Sequence, residues 1–214
     1  MYDMIKQIPP EIFSFLAFAC VVLCLYLKLK YSEASSKSKW DNFLEEEQNA
    51  NFYHKKNFPN DIFLNFDISI IPKTPLSECM EIYTKLSHFV ELKMVNLTNS
   101  SNRELKETYG IANFNKLIDY EKNYLSLIDI LVQYGNILNE HNYKEEAQIV
   151  LEYALSIHCN KIKCYELLTQ IYKDSQNKEA LLKIKESLSK DIINYPYLEK
   201  TLLDIEEAIN YLSK

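Results

Sequence analysis

The chain opens with a stretch that has no polar face. From Ile12 to Leu27 no residue is charged and apolar side chains fall on every side of a helix, whereas a helix packed on a soluble core keeps a polar stripe. With Ile8 to Glu11 before it and Leu29 after it, the segment approaches the ~17 to 20 residues that a bilayer span requires. Pro9 and Pro10 suit a helix start, Tyr26 and Tyr31 suit an interface, and Lys28 and Lys30 can reach the headgroups. The pattern predicts a single transmembrane helix over 12–30 behind a short outer tail, 1–11. Lys28, Lys30, Lys37 and Lys39 outweigh Lys6 on the other flank, so the positive-inside rule places the C-terminal body in the cytoplasm, at the cell membrane. Ala17-Phe18-Ala19 before Cys20 also resembles a cleavage site. Phe18 is too bulky for a lipoprotein signal, however, and the apolar run continues past it.

Beyond the span the pattern changes twice. Residues 31–48 are polar and charge-mixed around a lone Trp40, which predicts a tether with a short helix near Asp41 to Glu47. Residues 49–73 carry Phe52, Tyr53, Phe58, Phe63, Phe66, Ile68, Ile70 and Ile71 between Pro59 and Pro72. They are too proline-broken for a helix and too apolar for a free linker, so an extended arm packed on the body, or occupying a groove in it, is expected.

From 74 to 214 the period is helical. Thr74 and Pro75 read as N-cap and first residue of a helix whose apolar face would be Leu76, Met80, Tyr83, Leu86, Val90, Met94 and Leu97. Ser101-x-x-Glu104 is a capping box for a short helix that Gly110 stops. A long helix follows from about Phe114 through Leu117, Tyr120, Tyr124, Ile128, Leu131 and Leu138, and Asn142-x-x-Glu145 reads as the cap of the next. The last helix, 196–213, sets Leu198, Leu202, Ile205, Ile209 and Leu212 against a polar side, as a terminal capping helix does.

Composition narrows the chemistry. With 47% hydrophobic residues in 214, a packed core is available, and a net charge of −6 without a basic stripe argues against nucleic acid as a partner. Gly110 and Gly135 are the only glycines, which leaves no loop able to cradle a phosphate. Cys79, Cys159 and Cys164 lack framework spacing and read as reduced thiols. His158, Cys159 and Cys164 are three soft ligands without a fourth, and His54, His88 and His141 stand alone. Nucleophile and metal-hydrolase motifs are absent. The expectation is a protein that is not an enzyme, with no catalytic, metal or cofactor residue and no small-molecule substrate.

An internal repeat gives the fold class. Sliding the chain by 34 residues puts Leu131 on Tyr165, Tyr134 on Leu168 and Leu138 on Tyr172, with Gly135, Ala147 and Ala154 at small positions around Leu151. This resembles the tetratricopeptide (TPR) helical repeat, with one copy at about 128–161 and a degenerate one at 162–194. In the second copy Ala180, Ile184 and Leu188 match if its inter-helix turn is one residue shorter. The resemblance implies an all-α domain of stacked antiparallel helix pairs, an α-solenoid. It also implies a groove lined by the first helix of each pair, at Asp129, Val132, Asn136 and Asn139, then Lys163, Glu166, Gln170 and Lys173. Only Asn136 and Lys163 match the family's carboxylate clamp, so a mixed polar groove is expected. The overall layout is similar to small membrane-anchored proteins of low-GC Gram-positive bacteria, which implies no particular activity. Two functions follow: a membrane-anchored scaffold presenting its groove to a protein or peptide, or a structural subunit of a larger membrane complex with no exchangeable ligand.

Overall fold

The computed structural model describes residues 10–50 and 58–213, and the regular elements among them are helices. The first, α1, runs from Pro10 to Ala50. No proline or glycine interrupts the chain between Pro10 and Pro59. A helix once nucleated therefore continues, because each added residue gains a bond without a new nucleation cost. Residues 31–48, expected as a tether with only a short helix, are thus part of one rod. Nine large apolar side chains between Phe15 and Leu27 are 48 to 71% exposed. Among the described residues no helix is long and apolar enough to cross a membrane.

The arm follows. From residue 58 it forms two short 3-10 turns, Asn60–Ile62 and Ile68–Ile70, and pairs Leu64 with Met94 in one antiparallel bridge. Phe66 and Ile71 are buried, the Phe66 ring lies 5.9 Å from that of Tyr153, and the Tyr134 hydroxyl donates to the Pro72 carbonyl at 2.7 Å. The arm packs on the body as expected; Phe52 and Tyr53 lie outside the described residues.

Helix α2 spans Ser77–Ser87 and tightens into a 3-10 turn, His88–Glu91. It is shorter than the expected 74–97, and the expected face holds in part, with Leu86 buried and Leu76 and Tyr83 packed on the core. Cys79, Ile82, Leu86 and Phe89 are buried, while Met80 and Val90 are exposed. Thr74 and Pro75 precede the helix, whose N-cap is Leu76. Helix α3, Asn102–Tyr109, has the full Ser101/Glu104 capping box and ends at Gly110, whose φ of 79° is one that L side chains rarely adopt. The long α4, Ile111–Glu140, packs against α2 and α3, and α1 touches α3.

Helices α5 (Lys144–Ser156), α6 (Ile162–Asp174), α7 (Lys178–Asp191) and α8 (Glu199–Tyr211) complete the body. Three-residue turns join α4 to α5 and α6 to α7, which forces each pair antiparallel. Each helix packs on the next, α4 also on α6, and α6 also on α8. Asn142 does not cap α5. It takes a left-handed φ of 63° in the turn before N-cap Tyr143, a conformation that asparagine tolerates better than most residues. Gln176 does the same at 55°, 34 positions on.

That correspondence runs through both pairs. Helices α4 and α6 end at Glu140 and Asp174, and α5 and α7 begin at Lys144 and Lys178, each pair of positions 34 apart. The turn in the second pair is therefore not one residue shorter. Leu181, not Ala180, stands opposite Ala147, followed by Val150 with Ile184 and Ala154 with Leu188, all six buried. Ala180 instead sits in the first turn of α7, where its N–H donates to the Asn177 side chain at 3.0 Å. Helix α8 carries the next copy of the α6 face. Cys164, Leu168, Ile171 and Tyr172 recur 37 positions on as Thr201, Ile205, Ala208 and Ile209, all buried.

A candidate partner-binding groove

The eight residues expected to line a groove separate into two groups. On α4, Val132 is buried in the core and cannot meet a partner, which removes it from the set. It lies beside Leu131 where α4 is covered on more than one side, and a helix packed by α2, α3, α5 and α6 has little free face left. Asp129 is exposed and paired with Lys161 at 2.8 Å, and Asn136 donates to Glu140 at 2.6 Å. Asn139 is half-buried. None of these residues lines the cleft that three of the α6 residues share.

On α6 the outcome differs. Glu166, Gln170 and Lys173 line one cleft of about 260 Å³ together with Thr169, and its opposite wall is α8, through Thr201, Asp204, Glu207 and Ala208. Lys163, one turn earlier, is exposed and outside it. The α8 wall was not in the expected set. No local pattern marks it, because it depends on how the last helix stacks on α6, with the buried Thr201 and Ala208 beside the exposed Asp204 and Glu207.

The electrostatics of this cleft are mixed and leaning acidic. Lys173 holds its ammonium 4.7 Å from the centre of the Tyr211 ring, a cation–π contact that ties the end of α6 to the end of α8. Gln170 donates to Asp174 at 2.6 Å, and Asp174 also takes the Lys144 ammonium at 2.6 Å. The Lys144 hydrogen bond holds the Asp174 carboxyl below the usual carboxylate range against the opposing effect of burial. The Thr169 hydroxyl oxygen is buried without a hydrogen-bond partner.

A larger cleft, about 570 Å³, lies on the other side of the repeat, between α5 and α7. Leu155, Ala180 and Ile184 line it together with Glu152, Tyr172 and Lys183. Tyr172 donates to Glu152 at 2.6 Å, and burial, then that carboxylate, push its phenol well above its ordinary value. None of the expected groove residues faces this cleft.

The soft-ligand trio also resolves into structure. His158 takes a left-handed φ of 69° in the turn after α5, and its carbonyl and that of Ile157 each accept from the Tyr124 hydroxyl at 3.0 Å. Cys159 and Cys164 are buried, and the Cys164 thiol donates to the Leu151 carbonyl at 3.6 Å. Burial pushes Tyr124 upward as well. Among the described residues no three His, Cys, Asp or Glu side chains are grouped to hold a metal ion. Comparison of the chain with family models, with curated proteins and with solved structures returns no match in any of the three.

Proposed function

We propose that this protein is a helical-repeat scaffold of TPR type, held at a membrane by α1, whose second helix pair and α8 present a groove to a protein or peptide partner. The observation that carries the reading is the common 34-residue frame of α4–α5 and α6–α7. Stacked pairs of this kind bury their faces only against neighbours and leave an extended concave surface along their first helices. The α6–α8 cleft lies on that surface, and its polar lining suits a peptide rather than an apolar ligand.

The anchor rests on the exposed apolar segment of α1. Its uncharged run, Ile12 to Leu27, spans 16 residues, or about 24 Å of helix, against a hydrocarbon core of ~30 Å. The run is short for a span on its own, and the Lys28 and Lys30 stems extend it when their ammonium groups reach outward to the headgroups. The lysine asymmetry puts the body on the cytoplasmic side. An exposed apolar surface of this extent marks a protein or membrane contact, and lipid would cover it on every side of the helix.

The test is a variant that alters the groove without touching the core. Glu166→Lys with Glu207→Lys and Gln170→Ala should leave the unfolding midpoint of the body nearly unchanged, since exposed substitutions shift stability by only about 0.5 kcal/mol. Partners crosslinked to the wild type in its native membrane should be lost from this variant. Recovery of the same partners by a normally folded variant would refute the groove. A body that dissolves only together with a neighbouring subunit would favour the structural-subunit reading instead.

A further inference from the structure

Helix α1 is ordered along its axis in three zones. The uncharged run ends at Leu27, and the next twelve residues, 28–39, hold Lys28, Lys30, Lys37 and Lys39 against one acid, Glu33. Beyond them come Asp41, Glu45, Glu46 and Glu47 without a basic residue. The four lysine side chains are exposed. Because α1 is one unbroken helix from Pro10 to Ala50, these zones lie at fixed heights along a rod.

Their angular placement decides how the rod meets lipid. At about 100° per residue, Lys28 and Lys39 share one side, and Lys30 and Lys37 fall together about 160° to 200° away. The exposed apolar side chains from Phe15 to Leu27 likewise surround the helix. A helix that lies flat in an interface separates apolar and basic residues onto opposite faces. Here they are separated along the axis, so the basic zone forms a collar around the rod just above its apolar end.

We infer that α1 enters the bilayer along its axis and that the lysine collar binds anionic phospholipid headgroups, so the protein selects negatively charged membrane surfaces. This rests on the anchor reading above and adds the lipid class and the geometry. The charge pattern supports it. The collar carries the local positive charge in a chain of net charge −6. Lys28 and Lys30 stand within about 5 Å of Leu27 and carry most of the attraction, while Lys37, Lys39 and the acidic residues beyond them stand about 15 Å or more above it, past a Debye length of ~8 Å.

Trp40 is the only tryptophan and is 60% exposed. It stands thirteen residues past Leu27, about 20 Å above the apolar zone. The full-length chain is floated with vesicles of phosphatidylcholine alone and of phosphatidylcholine with phosphatidylglycerol, and Trp40 emission is read with acyl chains brominated and with iodide in solution. The expected result is at least about tenfold tighter binding to the anionic vesicles, declining as salt rises. Replacing the four lysines by Gln should abolish the preference while binding to phosphatidylcholine persists, and Trp40 should be quenched by iodide but not by the brominated chains. Equal binding to both vesicles, or a preference that survives the lysine replacements, would overturn the collar and leave the anchor standing. Quenching of Trp40 by brominated chains would overturn end-on entry. Failure to float with either vesicle would remove the anchor reading itself.

Discussion

The two helix pairs share one frame and are packed differently. In the first, Gly135 on α4 faces Leu151 on α5 so closely that an added Cβ would lie 2.6 Å from Leu151 Cγ, and Ala147 and Ala154 are fully buried. Thirty-four positions on, the same places hold Thr169, Lys185, Leu181 and Leu188. Bulk has replaced the small residues, and Thr169 carries a buried hydroxyl without a partner. The first pair is also covered, by the arm and α2, while the α6–α8 cleft borders the second. Close approach makes a tightly packed first pair, and the second pair lacks the small residues that allow it.

The largest effect should come from filling the tight pair. Gly135→Val forces a branched side chain into the fully buried Leu151 and should destabilise the body by about 3 kcal/mol, near the upper end for overpacking. Gly135→Ala should also destabilise, by about 1 kcal/mol, despite alanine's better helix propensity. Urea unfolding followed by far-UV circular dichroism measures both. Tolerance at Gly135 would erase the contrast between the pairs. Ala147→Leu or Ala154→Leu should each lose about 1 to 3 kcal/mol in the same assay, and Glu145→Leu, on the exposed side of α5, about 0.5 kcal/mol or less.

Alkaline pH probes one buried tyrosine in each region. Tyr124 and Tyr172 keep their protons in the folded state above the ordinary phenol value near 10. Below that pH both states are neutral and stability is unaffected. Above it the unfolded chain loses protons that the folded chain retains, so stability falls by up to about 1.4 kcal/mol per pH unit for each tyrosine. The urea midpoint should therefore drop above pH 10, with a slope that Tyr172→Phe or Tyr124→Phe each reduces. An unchanged slope in either variant would show that its ring is not held protonated.

The smallest effects concern polar atoms and turns. Thr169→Val removes the unpartnered hydroxyl and should stabilise by about 1 kcal/mol, in contrast to the loss expected at Gly135. Gln176→Gly relieves a left-handed backbone but loosens the unfolded chain, so the net change should stay within about 0.5 kcal/mol, whereas Gln176→Val should lose 1 kcal/mol or more. Thermal unfolding of the body separates these cases.

Much of this was legible in the chain. The Ser101/Glu104 box, the stop at Gly110, the capping face of α8 and the large–small pattern of the first pair depend on local rules and appear where those rules place them. What was missed depends on competition between neighbours. The face of α2 was legible only in part because Met80 and Val90 share a helical period with Leu76 and Tyr83, and only the packing of Cys79, Ile82 and Phe89 on the body chooses between the two stripes. Asn142 suits both a cap and a left-handed turn, and the three-residue connection to α5 selects the second. The continuity of α1 is hidden by its polar composition, which resembles a tether, although nothing in it stops a helix. The groove was half legible. Periodicity marks the free side of α6, but that α8 forms the other wall is a matter of how the last helix stacks, which no local pattern encodes.

The central claim is that partner contact belongs to the second pair and α8. Its most direct measurement places a photo-crosslinking side chain at Gln170, at Asp204 or at Asn136 in the full-length protein and irradiates intact membranes. The account expects one common crosslinked species from Gln170 and Asp204 and none from Asn136. A species formed from Asn136 alone, or equally from all three positions, would contradict it.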